Sequence, residues 1–356
     1  MMEKVFMKGN EAVAEAAIRA GCRFFAGYPI TPQNEIPEYM SKRLPEVGGT
    51  FVQGESEIAS INMVYGAAAT GTRALTSSSS PGISLKSEGI SYLAGAELPA
   101  VIINVTRGGP GLGSIQAAQM DYFQATKASG HGGFRMLVYA PETIQEACDL
   151  TVVAFEKAEE YRAPMLICMD GCIGALMQPV ILPEMKQVKP IKLDSTAGKY
   201  INPNRTIITS LISGEDRQEK FNKSLAEMYQ IWKEKELRYE MWNTENAEIV
   251  LVAYGICSRT AKAAILELER DGIHVGLIRP ITLFPFPEIA FDKLNYEKVK
   301  LLVSVELSIP PQMEEDVKSS AARRAEVRSL THAGGVLLTV EEIVEYVKAM
   351  YNRGRN

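Results

Sequence analysis

The stretch Gln53-Gly-Glu-Ser-Glu-Ile-Ala-Ser-Ile-Asn-Met-Val-Tyr-Gly66 carries two carboxylates, Glu55 and Glu57, at the junction between a short strand and a helix. The strand is expected over Thr50 to Gln53, and the helix, rich in Ala, Ile, Met and Val, from 57 to Thr70 with a stop at Gly71. A carboxylate at such a junction lies at the positive end of the helix, close to whatever binds over the end of the sheet. Periodicity assigns Ile58, Ile61, Met63 and Val64 to the buried face, with Glu57 at its entrance. Two roles stand open for the glutamates: helix-terminal carboxylates stabilised by the dipole, or groups that act on a ligand.

The same strand-and-helix unit recurs on both sides. Asn10 is expected to cap a helix through Ala20, with Gly21 at the position that favours glycine, followed by a strand over Cys22 to Ala26. That strand breaks into Gly27-Tyr-Pro-Ile-Thr-Pro32, a loop stiffened by two prolines, and a helix from about Asn34 to Leu44 follows. Beyond the central stretch, Arg73 to Ser77 is expected as a strand, and four serines with Pro81-Gly82 lead into a helix ending near Gly95. Ala100 to Thr106, a continuous β-branched run, is the pattern of a strand buried on both faces, and it opens into Arg107-Gly-Gly-Pro-Gly-Leu-Gly-Ser114. A helix near Gln119 to Ser129, strand Arg135 to Tyr139, helix Thr143 to Tyr161 and strand Pro164 to Met169 complete six strands alternating with helices. This predicts an α/β fold with a doubly wound parallel sheet and right-handed crossovers, its ligand site beyond the carboxyl ends of the strands.

From Pro179 to about Pro203 the pattern becomes Pro/Lys-rich extended chain, and Glu215 to Asn243 is a charged helical run with Phe221, Leu225, Met228, Tyr229 and Trp232 near helical spacing. A second α/β unit starts at Glu248. Its strands are expected at Ile249 to Tyr254, Val275 to Ile278, Leu301 to Val305 and Val336 to Thr339, and its helices at about 258–271, 287–294, 312–325 and 340–351. The expected division is 1–185, an extended and helical linker 186–246, and a smaller domain 247–356.

Composition narrows the function. Of 356 residues, 46% are hydrophobic and 23% charged, and the net charge is −5 with no Lys/Arg-rich run, which argues against nucleic acid as a partner. No apolar run has the length of a signal peptide or a membrane span, so a cytoplasmic location without membrane contact is expected. Cysteines 22, 148, 168, 172 and 257 show no metal-binding spacing and are expected to be buried thiols; any iron–sulfur chemistry would sit on another chain.

Several residues are candidates for chemistry. Gly109-Pro-Gly-Leu-Gly113 follows a strand, but its spacing is not that of a dinucleotide loop and no acidic residue follows at ribose-binding distance. Arg107 ends the central strand; it could bind a substrate carboxylate bidentately or pair with a structural one. Thr31 could donate to a ligand or cap the following helix. His131, in a Ser-Gly-His-Gly-Gly loop, completes no nucleophile–base set.

Taken together, Gly27-Tyr-Pro-Ile-Thr-Pro32, Gly54-Glu-Ser-Glu-Ile-Ala-Ser-Ile-Asn62 with Tyr65-Gly-Ala67, Ser78-Ser-Ser-Pro-Gly-Ile-Ser-Leu85 and Arg107-Gly-Gly-Pro-Gly-Leu-Gly113 resemble the α subunit of the 2-oxoacid:ferredoxin oxidoreductases, thiamine diphosphate enzymes. Residues Ile249 to Pro287, ending Arg279-Pro-Ile-Thr-Leu-Phe-Pro-Phe-Pro, are similar to the transketolase C-terminal domain. The resemblance implies a thiamine diphosphate-binding fold in which Glu57, nine residues before Gly66, is the essential glutamate. It would favour the imino form of the cofactor's aminopyrimidine by hydrogen bonding to N1′, so that the 4′-imine can take the thiazolium C2 proton. Tyr28, Pro29 and Ile30 would line the pyrimidine, and Thr31 and Arg107 would bind the 2-oxoacid.

The Gly-Asp-Gly motif that holds Mg²⁺ and diphosphate in thiamine enzymes is missing; Met169-Asp-Gly171 is the nearest approach and has no suitable Asn downstream. The resemblance therefore implies a β subunit that brings the metal–diphosphate half, γ/δ-type subunits or domains with iron–sulfur clusters, coenzyme A as co-substrate and ferredoxin as acceptor. Met-Lys-Gly-Asn-Glu-Ala near the start and Tyr-Pro-Ile-Thr-Pro-Gln-Asn-Glu look most like the branched-chain (3-methyl-2-oxobutanoate) members, with 2-oxoglutarate members next; a noncatalytic assembly subunit is the remaining alternative.

Overall fold

The computed structural model describes residues 4–187 and 207–353. Its larger sheet contains the six expected parallel strands in the order Leu137–Tyr139, Pro164–Asp170, Ala100–Gly108, Ala74–Ser78, Phe24–Gly27, Thr50–Gln53. Every residue of the central strand Ala100–Gly108 is buried. Alternation decides which layer each serves: Val101, Ile103 and Val105 join the core under the helices Gly9–Arg19 and Ile144–Tyr161, and Ile102 joins the opposite one. The β-branched run is the direct consequence of having apolar neighbours on both faces.

The local readings fail where tertiary contacts compete. The first helix is Gly9–Arg19, begun by Lys8, so Asn10 is not its cap. Asn10 is instead buried and donates to the Pro32 carbonyl at 2.8 Å and to Glu35 Oε2 at 2.9 Å, which pins the Tyr28–Pro32 loop from below. Val5–Lys8 pairs antiparallel with Met177–Val180, a ribbon that the sequence pattern did not announce, since one of its strands contains Pro179. The expected helix at Gln119–Ser129 is reduced to Tyr122–Thr126. The extended reading of Pro179–Pro203 lies partly outside the described residues.

The second sheet runs Tyr239–Trp242, Val275–Pro280, Ile249–Ala253, Leu301–Glu306, Glu326–Thr331, parallel except for the first strand. Its antiparallel edge comes from the stretch read as linker, where the long helix ends at Lys235 instead of reaching Asn243. The strand expected at Val336–Thr339 does not form; Val336 and Leu337 are exposed. The strand Glu326–Thr331 takes that place, and the preceding helix stops at Ala321 rather than 325. The stop is made by Ala322 and Arg323 in the left-handed region (φ 48° and 62°), with no glycine to announce it. No helix among the described residues is long and apolar enough to cross a membrane.

The two sheets are joined by polar groups that each satisfy both sides. The segment Thr282–Phe284 leaves the second sheet and pairs antiparallel with Leu137–Tyr139 at the edge of the first. Arg279 binds both oxygens of Glu146 at 2.9 Å and Glu240 Oε2 at 2.9 Å. Gln119 donates to the Tyr254 carbonyl at 2.9 Å while its Oε1 accepts from the Leu307 N–H at 3.1 Å. Asp170 accepts from the N–H groups of Ile173 (3.2 Å) and Ile256 (2.8 Å), so one buried carboxylate receives two helix N-termini from different units.

Burial raises the Asp170 carboxyl from the ordinary 3.8 to about 6, against the pull of the Ile256, Ile173 and Cys172 N–H groups. A folded-state value above the unfolded one means that this group favours folding fully below pH about 4 and loses that contribution as pH rises through about 6. Asp170→Asn removes the titration. Urea unfolding of both proteins should show wild-type stability, relative to the variant, falling by about 3 kcal/mol between pH 4 and pH 7. A pH-independent difference would mean that Asp170 does not titrate in this window.

Candidate active site

The strand Thr50–Gln53 ends in Gly54, and Ser56 turns the chain into the helix Glu57–Ala69 by accepting the Ala59 N–H on its hydroxyl at 3.1 Å. This cap sets the rotation of the helix. Glu57 turns inward and is 5% exposed, whereas Glu55 stands in solvent. The buried face is Glu57, Ser60, Ile61, Val64 and Ala68. Ile58, assigned to that face by apolar periodicity, is 50% exposed, so the helix buries a carboxylate and shows an isoleucine. Gly66 lies on the exposed side with open space around it.

Above Glu57 sits the start of the helix Pro81–Gly95. A Cβ at Gly82 would lie 2.7 Å from Glu57 Oε1 and 2.0 Å from Ser78 Oγ, so only glycine lets this helix start close against the carboxylate. The serine run leading into it is buried, and the Ser78 and Ser79 hydroxyls have no hydrogen-bond partner among the described residues. Ser80 has φ 33°, a strained region for a residue with a side chain. Its N–H donates to Asn104 Oδ1 (3.0 Å), its hydroxyl donates to Asp121 Oδ2 (2.6 Å), and the same oxygen accepts the Arg107 N–H (3.0 Å). Asn104 Nδ2 donates to the same Asp121 oxygen at 2.8 Å. Burial raises the Asp121 carboxyl, and Ser80, Asn104 and the Arg107 charge pull it back down.

Arg107 is buried at the end of the central strand and spans two loops. It donates to the Thr31 carbonyl at 2.8 Å and to the Leu112 carbonyl at 3.0 Å, and its Nε–H has no partner among the described residues. Both bonds go to main-chain oxygens, not to a structural carboxylate. Thr31 caps nothing: its hydroxyl is approached only by Asn34 Nδ2 at 3.4 Å, and Asn34 precedes the helix Glu35–Glu46 without a side-chain cap. Contacts therefore run without a break from Thr31 through Arg107 and Ser80 to Gly82 and Glu57. Tyr28 and Pro29 are exposed and Ile30 is half-buried on the adjoining loop. His131 lies outside, exposed, edge-on to Tyr92 at 6.3 Å.

Sequence reasoning missed Asn104, Asp121 and Lys86. Asn104 had a signal, as the one amide in an otherwise apolar buried run, and Lys86 shares the spacing of Ile83, Ile90 and Leu93 on the buried face of its helix. Asp121 had none. Metal ligation by Asp170 in Met169-Asp-Gly171 is disfavoured by its geometry, since its oxygens already face N–H groups.

Residues 15–240 match the family described as pyruvate flavodoxin/ferredoxin oxidoreductase, thiamine diphosphate-binding, and residues 247–343 match pyruvate:ferredoxin oxidoreductase core domain II. The chain belongs to the 2-oxoacid:ferredoxin oxidoreductase family. Among relatives in this family, ketoisovalerate oxidoreductase subunit VorB of Methanothermobacter marburgensis is 47% identical over 98% of both chains. The 2-oxoglutarate synthase subunit KorA of Methanocaldococcus jannaschii is 37% identical, over 96% of this chain and 98% of its own. The 2-oxoglutarate:ferredoxin oxidoreductase structure from Magnetococcus marinus superimposes with a TM-score of 0.86 at 27% identity, covering 98% of this chain; this chain spans 65% of that one. A split-gene transketolase matches at a TM-score of 0.58 and 14% identity, which bears on fold alone. The oxidoreductase fold is thus the thiamine diphosphate-binding α/β architecture that the strand order displays.

The polar knot behind the oxidoreductase site has a testable weight. Asn104→Leu would leave the Ser80 N–H without an acceptor and take one of the two donors from Asp121. Two impaired buried groups should lower the unfolding free energy by roughly 3 kcal/mol, read from urea titration of the isolated chain. A loss below about 1 kcal/mol would show that the loop relaxes without the knot.

Proposed function

We propose that this chain is the α-type subunit of a thiamine diphosphate-dependent oxidoreductase that decarboxylates a branched-chain 2-oxoacid oxidatively, with coenzyme A and ferredoxin. The observation that carries the reading is the buried Glu57 carboxylate under the Gly82 helix start, beside the unpartnered hydroxyls of Ser78 and Ser79. Unsatisfied buried donors and acceptors are costly in a free-standing core, and this set fits the polar edge of an aminopyrimidine. The higher identity to the ketoisovalerate relative than to the 2-oxoglutarate one favours a branched-chain substrate.

The bound cofactor would supply a nucleophilic thiazolium carbon and an electron sink for decarboxylation of the 2-oxoacid. Glu57 would share a proton with the ring nitrogen presented to it, and the low-dielectric surroundings would strengthen that bond. Tyr28, Pro29 and Ile30 wall the ring. Arg107, with its free Nε–H, and Thr31, with a hydroxyl not spent on a cap, bind the carboxylate and ketone oxygens of the acid. The Arg107 bonds to the Thr31 and Leu112 carbonyls hold the substrate loop and the glycine-rich loop at a fixed separation.

The metal and diphosphate are held by a partner subunit, and iron–sulfur clusters on further subunits or domains pass electrons to ferredoxin. Support for a partner comes from the rim of the site, where Tyr28, Ile58, Leu85, Leu112 and Ile115 are all exposed. Monomeric proteins rarely leave such an apolar set uncovered beside a polar cleft. The carboxylate nearest to a metal-binding motif, Asp170, is committed to main-chain N–H groups.

Purified alone, the chain should turn over no 2-oxoacid, and addition of the diphosphate-binding subunit should produce viologen reduction dependent on 2-oxoacid and coenzyme A. Turnover by the homogeneous single chain would refute the divided site. In the assembled complex, Glu57→Gln should slow turnover about 10⁴-fold, whereas Glu55→Gln, removing the same charge from the solvent side, should change it less than about threefold. Equal effects of the two substitutions would remove Glu57 from its role.

A further inference from the structure

The helix Pro81–Gly95 buries Lys86 completely, in register with Ile83, Ile90 and Leu93. Its Nζ reaches across to the helix that carries Glu57, donating to the Ser60 hydroxyl and, at 3.4 Å, to the Glu57 carbonyl. Ser60 Oγ itself donates to that same carbonyl at 2.9 Å, so lysine, serine and the first turn of the Glu57 helix form one cluster. Gly89 makes the approach of the helices possible: a Cβ there would lie 2.5 Å from Ile61 Cγ2.

Both of these acceptors are uncharged. A fully buried ammonium with only neutral oxygens for partners is costly, and a methionine of the same length would fill this apolar space at less cost. Among the described residues, the charge that acts on Lys86 to favour its ammonium form is that of Glu57, on the helix packed against it.

We propose that Lys86 is a positioning residue for Glu57: it anchors the first turn of the Glu57 helix and supplies the buried positive charge that keeps this carboxylate in place to share a proton with the cofactor's ring nitrogen. The proposal rests on the reading of Glu57 given above. Burial pushes the lysine down to about 7, and the Glu57 charge acts in the opposite direction. Ser60 serves as the mechanical link, Lys86 as the electrostatic one.

Lys86→Met, Ser60→Ala and Glu57→Gln separate these roles. In the complex assembled with the diphosphate-binding subunit, deuterium exchange at C2 of bound thiamine diphosphate should slow at least about tenfold in Lys86→Met, the scale of coupling between contacting groups. The KM for 2-oxoacid should stay within about twofold, because the substrate contacts are elsewhere. The isolated Lys86→Met chain should unfold at a lower temperature than wild type, since the buried Glu57 charge loses its counter-charge. Ser60→Ala should lower the unfolding temperature and leave exchange within about threefold of wild type. Normal exchange in Lys86→Met with a lowered unfolding temperature would overturn the proposal and make the lysine a structural tie. Slow exchange in Glu57→Gln together with normal exchange in Lys86→Met sinks the lysine alone, whereas normal exchange in both sinks the glutamate and the lysine with it.

Discussion

Asp121 is the constraint from which the site is built. A carboxylate this deep is tolerated only with donors close by, and it has them in the Ser80 hydroxyl and the Asn104 amide. Those bonds fix Ser80 at a backbone angle it would otherwise avoid. The turn at Ser80 aims the Pro81–Gly95 helix at Glu57, and the Ser80 oxygen also holds the main chain of Arg107 as the central strand ends. One buried acid thus sets the relative positions of the loops that carry Glu57, Arg107 and, through the Arg107 guanidinium, Thr31.

The second unit is attached by the same kind of device. Asp170, Gln119 and Arg279 each bond across the joint, to main-chain groups in the first two cases and to carboxylates in the third. Glu306 does comparable work within the second unit, where it accepts the N–H groups of Gln312, Met313 and Glu314 and begins the helix Met313–Ala321. The added strand Thr282–Phe284 gives the joint a directional, hydrogen-bonded edge. A joint made of directional bonds holds orientation more tightly than an apolar seam of equal area.

The cysteines sit apart from this chemistry. Cys22 and Cys148 are buried and their thiols are raised to about 12 by desolvation, and Cys168 and Cys257 are raised in the same way. Thiols kept protonated are poor nucleophiles and poor metal ligands.

The local sequence alone determined the alternation of six strands with helices, because a strand buried on both faces must be apolar at every position and Ala100 to Val105 shows this directly, Asn104 excepted. It also singled out Glu57, Thr31 and Arg107, which stand at strand ends where such sheets bind ligands. What it left undetermined depended on partners far away in the chain. Apolar periodicity turned Ile58 inward, and the Ser56 cap and the Gly82 contact turned Glu57 inward instead. The strand Glu326–Thr331 carries charges because only part of it is covered, so its pattern lacked the apolar run expected of a strand. Asp121 finds its donors 17 and 41 residues back, and Lys86 finds Ser60 26 residues back. Local pattern reports which face a residue prefers. Only the closed tertiary structure, in which every buried charge must meet its complement, decides which polar residues are allowed inside.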